Sequence, residues 1–199
     1  MTMRQPSADE NLAALGWGDW QRQALNESNS GANVPARVVR QAGAGVWIDT
    51  GNERIAATVA GRLRRAAASA AELPVVGDWV LIPEPVGTNS DVVMIQRLIP
   101  RRTVLMRRRA GGKAEAQLLG ANIDIALIVW ALDREPNTAL LERAVVVARA
   151  GGIEPVILLT KADLREGSSK DVQVVRTRLA LEVLPVEHAH VDRGTSARS

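Results

Sequence analysis

The chain has 199 residues, of which 46% are hydrophobic and 24% are charged, and its formal net charge is +3. These values are typical of packed globular structure with room for one large domain or two small ones. No stretch approaches the roughly 18 consecutive apolar residues of a membrane span, and the N-terminal sequence lacks the apolar core of a secretion signal. The composition therefore predicts a cytoplasmic protein that contacts no membrane.

The chain is poor in soft-metal ligands, with no cysteine and two histidines, His188 and His190. Disulfides are therefore excluded, and the thiolates on which most structural zinc sites depend are missing. Two histidines alone do not complete a zinc site. We expect no metal site in these residues.

Residues 1–33 are predicted to form a helical extension followed by a linker. Leu12, Leu15 and Trp17 recur among small and polar residues, which favours a short amphipathic helix interrupted near two glycines. The run ESNSGAN, residues 27–33, is rich in turn formers and poor in apolar residues. A domain boundary is therefore expected near residue 33.

Residues 34–109 are predicted to form a small five-stranded barrel. The β-rich runs in this region are VPARVVR, GVWIDTG, ERIAATVAG, GDWVLIP and DVVMIQRLI, and turn formers separate them. An alanine-rich insert, RRAAASAAEL, lies between the third and fourth runs and has the length of a short helix. Closely spaced strands with such an insertion are typical of an oligonucleotide-binding (OB) barrel.

In residues 110–199, longer strand-like runs alternate with helical patterns. The strand-like run IDIALIVWAL is followed by a helical pattern over 138–150, the strand-like run PVILLT and a helical pattern over 171–181. This β-α-β-α order predicts a parallel sheet. The face of the first helix predicted to be buried consists of Leu140, Leu141, Ala144, Val147 and Ala148.

The sharpest functional signal is the sequence TKAD, Thr160 to Asp163, directly after the run PVILL. Ligands of open α/β sheets bind at the carboxyl ends of the strands. A carboxylate there can accept two hydrogen bonds from the N1 and N2 donors of guanine, a pattern that adenine does not offer. Asp163 is therefore predicted to select guanine, while Lys161 lays its aliphatic stem along the nucleotide.

Arginine and lysine are concentrated in and after the predicted barrel. Two clusters of cations suit the phosphate backbone of RNA, although a solvated rim on a cytosolic protein has the same composition. The first cluster is Arg62, Arg64 and Arg65, and the second is Arg97, Arg101, Arg102, Arg107, Arg108, Arg109 and Lys113.

The aromatic residues are five tryptophans, with no Phe or Tyr. Stacking on RNA bases would have to use one of them, whereas packing in the core is the more common use of a tryptophan. The candidates are Trp17, Trp20, Trp47, Trp79 and Trp130.

Five segments carry a resemblance to a known family. They are LGW at 15–17, PVVGDWV at 74–80, PRRTVLMRR at 100–108, GANIDIALIVWALD at 120–133 and LLERAVVVARAGGIEPVILLTKADL at 140–164. In these segments the chain resembles the ribosome small-subunit-dependent GTPase A (RsgA) family, circularly permuted GTPases in which the base-recognition motif precedes the phosphate loop. The resemblance covers nearly the whole chain.

The resemblance implies a ribosome biogenesis GTPase that acts in late maturation of the small subunit as a monomer. Its OB domain would bind 16S-type rRNA, and a partial P-loop-type G domain, residues 110–199, would bind GTP. The resemblance assigns Thr160, Lys161 and Asp163 to the guanine base, and Ser196 and Ala197 to a second base-contacting motif. It also implies Mg²⁺ at the phosphates and zinc in a further C-terminal domain.

The phosphate-loop pattern GxxxxGK[ST] does not occur in the 199 residues. The phosphate and Mg²⁺ sites, the switch motifs and the zinc domain are therefore expected beyond Ser199. We expect weak or undetectable GTP binding and no hydrolysis by these residues alone, and a half sheet with an uncovered apolar face. The alternative is a non-catalytic RNA-binding or ribosome-binding OB module with a remnant G domain.

Overall fold

The computed structural model describes residues 7–26, 33–43, 45–84, 92–108, 116–164, 168–179 and 183–186. The chain divides into two compact units, residues 1–123 and residues 124–199. Within the described ranges, no helix is long and apolar enough to cross a membrane. The predicted boundary at residue 109 falls outside these ranges, so the domains 1–33, 34–109 and 110–199 remain predictions.

The N-terminal extension forms two short helices, α1 (Ala8–Ala14) and α2 (Asp19–Asn26), with the predicted interruption between them. α1 begins with a capping box, in which the Ser7 hydroxyl accepts from the Glu10 N–H and the Glu10 carboxylate accepts from the Ser7 N–H. Leu12 and Trp17 are buried against Trp79. The two tryptophan rings meet edge to face at a centroid distance of 4.8 Å. The extension is therefore part of the packed core of the first unit.

A six-stranded sheet forms the centre of the first unit. Its strands are β1 (Asn33–Ala42), β2 (Gly45–Asp49), β3 (Arg54–Val59), β4 (Trp79–Pro83), β5 (Val92–Ile95) and β6 (Arg97–Leu98). The order is β5-β3-β2-β1-β4-β6, and the β3–β5 pair is parallel while the others are antiparallel. The five predicted β-rich runs all form strands, but the fifth, DVVMIQRLI, forms both β5 and β6, so the sheet has six strands and not the predicted five.

One short segment joins the two ends of this sheet. β5 pairs with β3, β6 pairs with β4, and Gln96 between them donates its N–H to the Leu81 carbonyl at 2.9 Å. The two edge strands, β5 and β6, are therefore consecutive in the chain and lie close together, so the sheet is strongly curved around its core. That core consists of Ala36, Val38, Val46, Ile48, Ala57, Val80, Ile82 and Ile95.

Helix α3 (Gly61–Ala66) follows β3 but starts before the alanine-rich insert and includes only its first three residues; the rest of the insert holds a short 3-10 turn, Ala70–Glu72. After β6, the chain forms a hairpin of β7 (Val104–Arg108) and β8 (Ala116–Ala121), which the sequence reasoning missed. Neither VLMRR nor AQLLGA alternates between apolar and polar residues, so the sequence signal for the hairpin is weak: two short, partly apolar runs on either side of a pair of glycines. The basic residues of this stretch suggested only a cation cluster.

Asn122, directly after β8, ties the hairpin to the loop before β4. Its side-chain NH₂ donates to the Gly77 carbonyl at 3.0 Å, and its side-chain oxygen accepts from the Arg102 N–H at 3.0 Å. Its carbonyl accepts from the Arg37 guanidinium, which also donates to the Leu15 carbonyl. Partial burial lowers the pKa of Arg37. These bonds connect the extension, the sheet and the hairpin.

The second unit has the predicted β-α-β-α order and one more strand. Its elements are β9 (Ile125–Ala131), α4 (Thr138–Ala150), β10 (Glu154–Thr160), α5 (Ser168–Leu179) and β11 (Val183–Val186). The strands are parallel, with β10 at the centre in the order β11-β10-β9. The sequence reasoning did not predict β11.

The bounds of α4 are as predicted, but its buried face is not. The Asn137 side chain caps the helix by accepting from the Leu140 N–H at 3.1 Å. Leu141, Val145 and Ala148 are buried, whereas the predicted Leu140 and Val147 are 43% and 42% exposed. The run LLERAVVVA has apolar residues at almost every position, so periodicity alone permits faces about 100° apart. Packing on the sheet selects between them.

One face of β9 is not covered by the described residues. Ile125, Leu127 and Val129 are 53%, 61% and 57% exposed, while Ile128 and Trp130 point to the core shared with α4 and α5. The expected uncovered apolar face is therefore present in the described part of the chain.

Candidate functional site

The TKAD loop lies at the carboxyl end of β10, the central strand of the parallel sheet. Thr160 ends the strand, and its carbonyl accepts from the Leu132 N–H at 2.8 Å. Lys161 has a φ of +57°, an uncommon value for a residue with a side chain, and a short 3-10 turn of Ala162–Leu164 follows. Ala162 is buried in the core of the unit. The loop therefore has a fixed backbone at the edge of the sheet where ligands bind.

Asp163 is exposed at this edge. Within the described ranges, no ion pair engages its carboxylate. An exposed carboxylate in this position can accept hydrogen bonds from a ligand with two adjacent donors.

Lys161 forms an ion pair with Asp133, a residue that sequence reasoning did not select. The Lys161 ammonium lies 3.0 Å from a carboxylate oxygen of Asp133, and each side chain is 48% exposed. The hydrogen bond from Lys161 holds the pKa of Asp133 below its ordinary value. The pair therefore persists at neutral pH and is lost only as the pH falls through that lowered pKa. Asp133 thus restrains the lysine beside Asp163.

Thr160 faces the neighbouring strand. Its hydroxyl donates to the Trp130 carbonyl at 3.5 Å, and the Arg134 guanidinium lies 5.0 Å from the centre of the Trp130 ring. The hydroxyl therefore links the ends of β9 and β10. Ser196 and Ala197, the predicted second base-contacting motif, lie outside the described residues.

Five of the predicted RNA-contacting residues have described side chains that are exposed. Arg62, Arg64 and Arg65 are exposed on α3, and Arg62 donates to the Gln96 side chain at 2.8 Å. Arg102 and Arg107 are also exposed. The Arg108 side chain, Arg109 and Lys113 lie outside the described part of the structure.

Arg101 was predicted to contact RNA, but the structure gives it a packing role. Its guanidinium makes two hydrogen bonds of 2.7 Å to the Asp78 carboxylate, in the paired geometry that arginine favours. It also donates to the carbonyls of Ala71 and Leu73. Asp78 is fully buried and the Arg101 side chain is 16% exposed. We therefore omit Arg101 from the RNA-contacting set proposed below.

The described residues do not fit a magnesium or zinc site. Among them, no group of three or more His, Cys, Asp or Glu residues could hold a metal ion. Mg²⁺ in nucleotide sites is held by carboxylates and substrate phosphates, and zinc needs several N or S ligands. We therefore assign no metal ligand in this chain.

The fold and the loop together define a class, proteins in which the sequence TKAD follows the central strand of a parallel α/β sheet. Residues 98–196 match the family model described as RsgA GTPase. The chain belongs to the RsgA GTPase family.

Two curated relatives named small ribosomal subunit biogenesis GTPase RsgA support this assignment. The Opitutus terrae protein is 34% identical over 188 residues, which is 91% of this chain and 51% of the relative. The Xylella fastidiosa (strain M12) protein is 42% identical over 118 residues, which is 58% of this chain and 33% of the relative. The chain therefore spans about half the length of the first of these relatives, and less of the second.

Two solved structures have a similar fold. YjeQ from Thermotoga maritima has a TM-score of 0.58 at 21% identity, covering 77% of this chain and 51% of YjeQ. YloQ, a circularly permuted GTPase, has a TM-score of 0.56 at 20% identity, covering 79% of this chain and 52% of YloQ. These likenesses concern the fold alone.

Proposed function

We propose that this chain is part of a GTPase that acts in the biogenesis of the small ribosomal subunit. Its relatives carry that name, and the observation that carries the proposal here is the TKAD loop at the carboxyl end of the central parallel strand. In this proposal the second unit is the base-recognition part of a G domain, and the first unit is an OB-type barrel.

In the second unit, the chain's residues bind the base. Asp163 accepts from the N1 and N2 donors of guanine, Lys161 lies along the nucleotide, and Thr160 fixes the strand end. Ser196 and Ala197 supply a further contact to the base. A phosphate loop with Mg²⁺, when present, positions the γ-phosphate for attack by water. The 199 residues lack the GxxxxGK[ST] pattern, so we assign them no step of hydrolysis.

Guanine selection by Asp163 can be tested on this chain by NMR. We expect millimolar GMP to shift the amide signals of Lys161, Ala162 and Asp163, and AMP at the same concentration to leave them in place. Asp163→Asn should reverse the preference from GMP to XMP, because an amide can donate to the second carbonyl of xanthine while a carboxylate cannot. Discrimination of at least about tenfold is expected from one such edge contact.

The matched control is Glu154→Gln, which removes an exposed carboxylate at the opposite end of β10. It should leave the response to GMP unchanged. Equal responses to GMP and AMP in the wild-type chain would count against guanine recognition.

In the first unit, the strand order supports an OB-type barrel. The β1-β2-β3 meander, the parallel β3–β5 pair and the β6–β4 closure are the pairings expected of such a barrel. Exposed cations cluster on α3 and in the segment that leads to the hairpin. We propose that they contact the backbone of 16S-type rRNA, with the set consisting of Arg62, Arg64, Arg65, Arg102, Arg107, Arg108, Arg109 and Lys113.

Backbone binding has a defined salt dependence. Reversing Arg107, Arg108 and Arg109 to glutamate should weaken RNA binding at least about tenfold at near-physiological salt, whatever the RNA sequence. It should also flatten the plot of log K against log salt by about 0.7 to 0.9 for each phosphate that the protein no longer neutralises. Fluorescence anisotropy with labelled RNA over a salt series measures both quantities.

The control reverses three exposed cations of the second unit, Arg143, Arg149 and Lys170. The net charge changes equally in the two triple variants, so a difference between them reports the position of the charges. Binding that does not depend on salt would oppose the proposal.

The alternative function is a non-catalytic RNA-binding module with a remnant G domain. In that case GMP should leave the TKAD amides unchanged, while the salt-dependent RNA binding persists. The two experiments therefore distinguish the two functions.

A further inference from the structure

We propose that Trp47 is a stacking platform for an unpaired RNA base on the outer face of the barrel sheet. This inference rests on the RNA binding proposed above and specifies the form of RNA that the barrel takes. It adds a contact surface apart from the arginine clusters.

The Trp47 side chain points away from the core of the six-stranded sheet. Its neighbours along β2, Val46 and Ile48, are 6% and 0% exposed, whereas Trp47 is 38% exposed. Successive side chains of a strand point to opposite faces, so Trp47 lies on the outer face. A large aromatic group exposed in the middle of a sheet forgoes packing that the core would have provided.

The other tryptophans are engaged differently. Trp17 and Trp79 are buried and contact each other, and the Trp130 ring lies beside Arg134. Trp20 is 45% exposed on α2, and its indole N–H donates to the Pro100 carbonyl at 3.3 Å. Among the described residues, the aromatic and cation–π contacts do not include Trp47.

The strand register places Trp47 in a row that crosses four strands. Arg40 pairs with Trp47, Trp47 pairs with Ala56, and Ala56 pairs with Val92. Side chains in directly opposed positions lie on the same face with their Cβ atoms about 5 Å apart. The small side chain of Ala56 therefore lies next to Trp47 on one side of the row, and the exposed Arg40 lies next to it on the other.

The row ends at β5, where Val92 and Met94 are exposed apolar side chains. Val92 is 44% exposed, and Met94, which pairs with Thr58 on the next row of the same face, is 52% exposed. An indole next to exposed apolar side chains can bind a flat, weakly hydrated group. A nucleobase is such a group, and every base offers an aromatic face.

The charges on this face select an anionic partner. Arg40 lies in the row itself, and the Arg54 side chain is 71% exposed although it bonds to Asp49 at 2.8 Å. The Asp49 side chain is 11% exposed, and it also accepts from the Gly51 N–H, so it is already satisfied. A nucleotide combines a flat base with a negatively charged phosphate. The phosphates of a nucleic-acid strand bound here would lie near the cations beside the ring.

The geometry also favours an unpaired nucleotide over a duplex. A base in a helix has both faces covered by its neighbours, so an indole can stack only on a base that is unstacked or at a strand end. A sheet face with one aromatic ring and a flanking arginine therefore suits a single-stranded segment. Sequence preference is expected to be weak, because stacking uses the face of the base and not its edge.

The test compares three RNA probes on the 199-residue chain by fluorescence anisotropy. The probes are an oligouridylate of about a dozen nucleotides, an abasic strand of the same length and charge, and a duplex of the same length. Trp47→Leu should weaken oligouridylate binding about tenfold and leave binding of the abasic strand unchanged, while the wild-type chain should prefer oligouridylate to the duplex. Trp47→Phe should retain most of the affinity, because phenylalanine also stacks.

Trp20→Leu is the matched control, since it removes a similarly exposed tryptophan from the same unit. It should behave like the wild-type chain. Arg40→Gln should lower affinity for both single strands and reduce the salt slope by about 0.7, whereas Trp47→Leu should leave the slope unchanged. This split separates stacking from charge.

A measurement on the unmodified chain does not depend on the folding of a variant. A strand containing 5-iodouridine should crosslink under ultraviolet light to the peptide that contains Trp47. Crosslinks confined to other peptides, or equal affinities for Trp47→Leu and Trp20→Leu, would overturn the stacking site. RNA binding that still depends on salt and on the arginine clusters would then leave the proposed function intact, whereas loss of all salt-dependent binding would remove both.

Discussion

Asp78→Ala should destabilise the first unit by about 3 to 5 kcal/mol, the range found when one partner of a buried ion pair is removed. Asp78 has no exposed surface, and its carboxylate accepts two hydrogen bonds of 2.7 Å from Arg101 and one of 2.8 Å from the Val75 N–H. Truncation leaves the guanidinium charged among the carbonyls of Ala71 and Leu73, with no counterion. Denaturant unfolding, read from the amide signals of β1 and β4, measures the loss.

An exposed ion pair joined by a single hydrogen bond provides the control. Arg178 and Glu142 lie 2.6 Å apart, and their side chains are 55% and 39% exposed. Glu142→Ala should therefore cost less than about 1 kcal/mol. If Asp78→Ala costs no more stability than Glu142→Ala, the buried Asp78–Arg101 pair matters no more to the fold than an exposed pair, and the prediction is wrong.

A second variant tests the source of the loss. In Asp78→Leu combined with Arg101→Met, both charges are replaced by apolar groups, so no charge remains buried without a partner. This double variant should recover a large part of the stability, because a buried pair is often replaceable by well-packed hydrophobic residues. A double variant no more stable than Asp78→Ala would instead point to the backbone hydrogen bonds of Arg101 and Asp78.

Local signals in the sequence predicted most of the secondary structure. The β-rich runs of the first unit were recognisable because turn formers separate them, and in β2 buried and outward residues alternate, as Val46, Trp47 and Ile48 do. The bounds of α4 were predictable because Asn137 caps its start and two glycines follow its end. These signals lie within a few residues of the feature that they predict.

The features that the sequence did not predict depend on contacts between distant residues. Arg101 was placed in an RNA-binding cluster because its local sequence is basic, yet its partner, Asp78, lies 23 residues away. The packed face of α4 depends on how the helix sits on the sheet, which the apolar run cannot specify. The strand β11 is defined by its parallel pairing with β10, which the local sequence does not show.

The TKAD loop could be placed from the sequence, but its ion pair could not. The rule that ligands bind at the carboxyl ends of parallel strands needs only the order of the elements. The Lys161–Asp133 pair depends on the register of β9 against β10, in which Ala131 pairs with Thr160. That register places the residues just beyond the two strand ends at the same edge of the sheet, where their charges meet.

Gly77→Ala should cost about 2 to 5 kcal/mol, because this glycine is both left-handed and in close contact with its surroundings. Its φ is +91°, and a Cβ added there would lie 2.0 Å from the Ala121 carbonyl oxygen. A left-handed conformation costs a residue with a side chain about 1 to 2 kcal/mol, and forced overpacking adds about 1 to 3 kcal/mol. The loop cannot easily retreat, since the Gly77 N–H donates to the Val38 carbonyl at 2.8 Å and its carbonyl accepts from Asn122.

Gly43→Ala separates the two contributions, because Gly43 has a φ of +55° and no atom within 4 Å of the added Cβ. It should therefore show the backbone cost alone, about 1 to 2 kcal/mol in the same denaturation assay. The difference between the two variants measures the contact between the loop before β4 and the hairpin strand β8. If the two variants lose equal stability, the backbone of Ala121 does not lie against Gly77, and the packing of the hairpin on the six-stranded sheet is wrong.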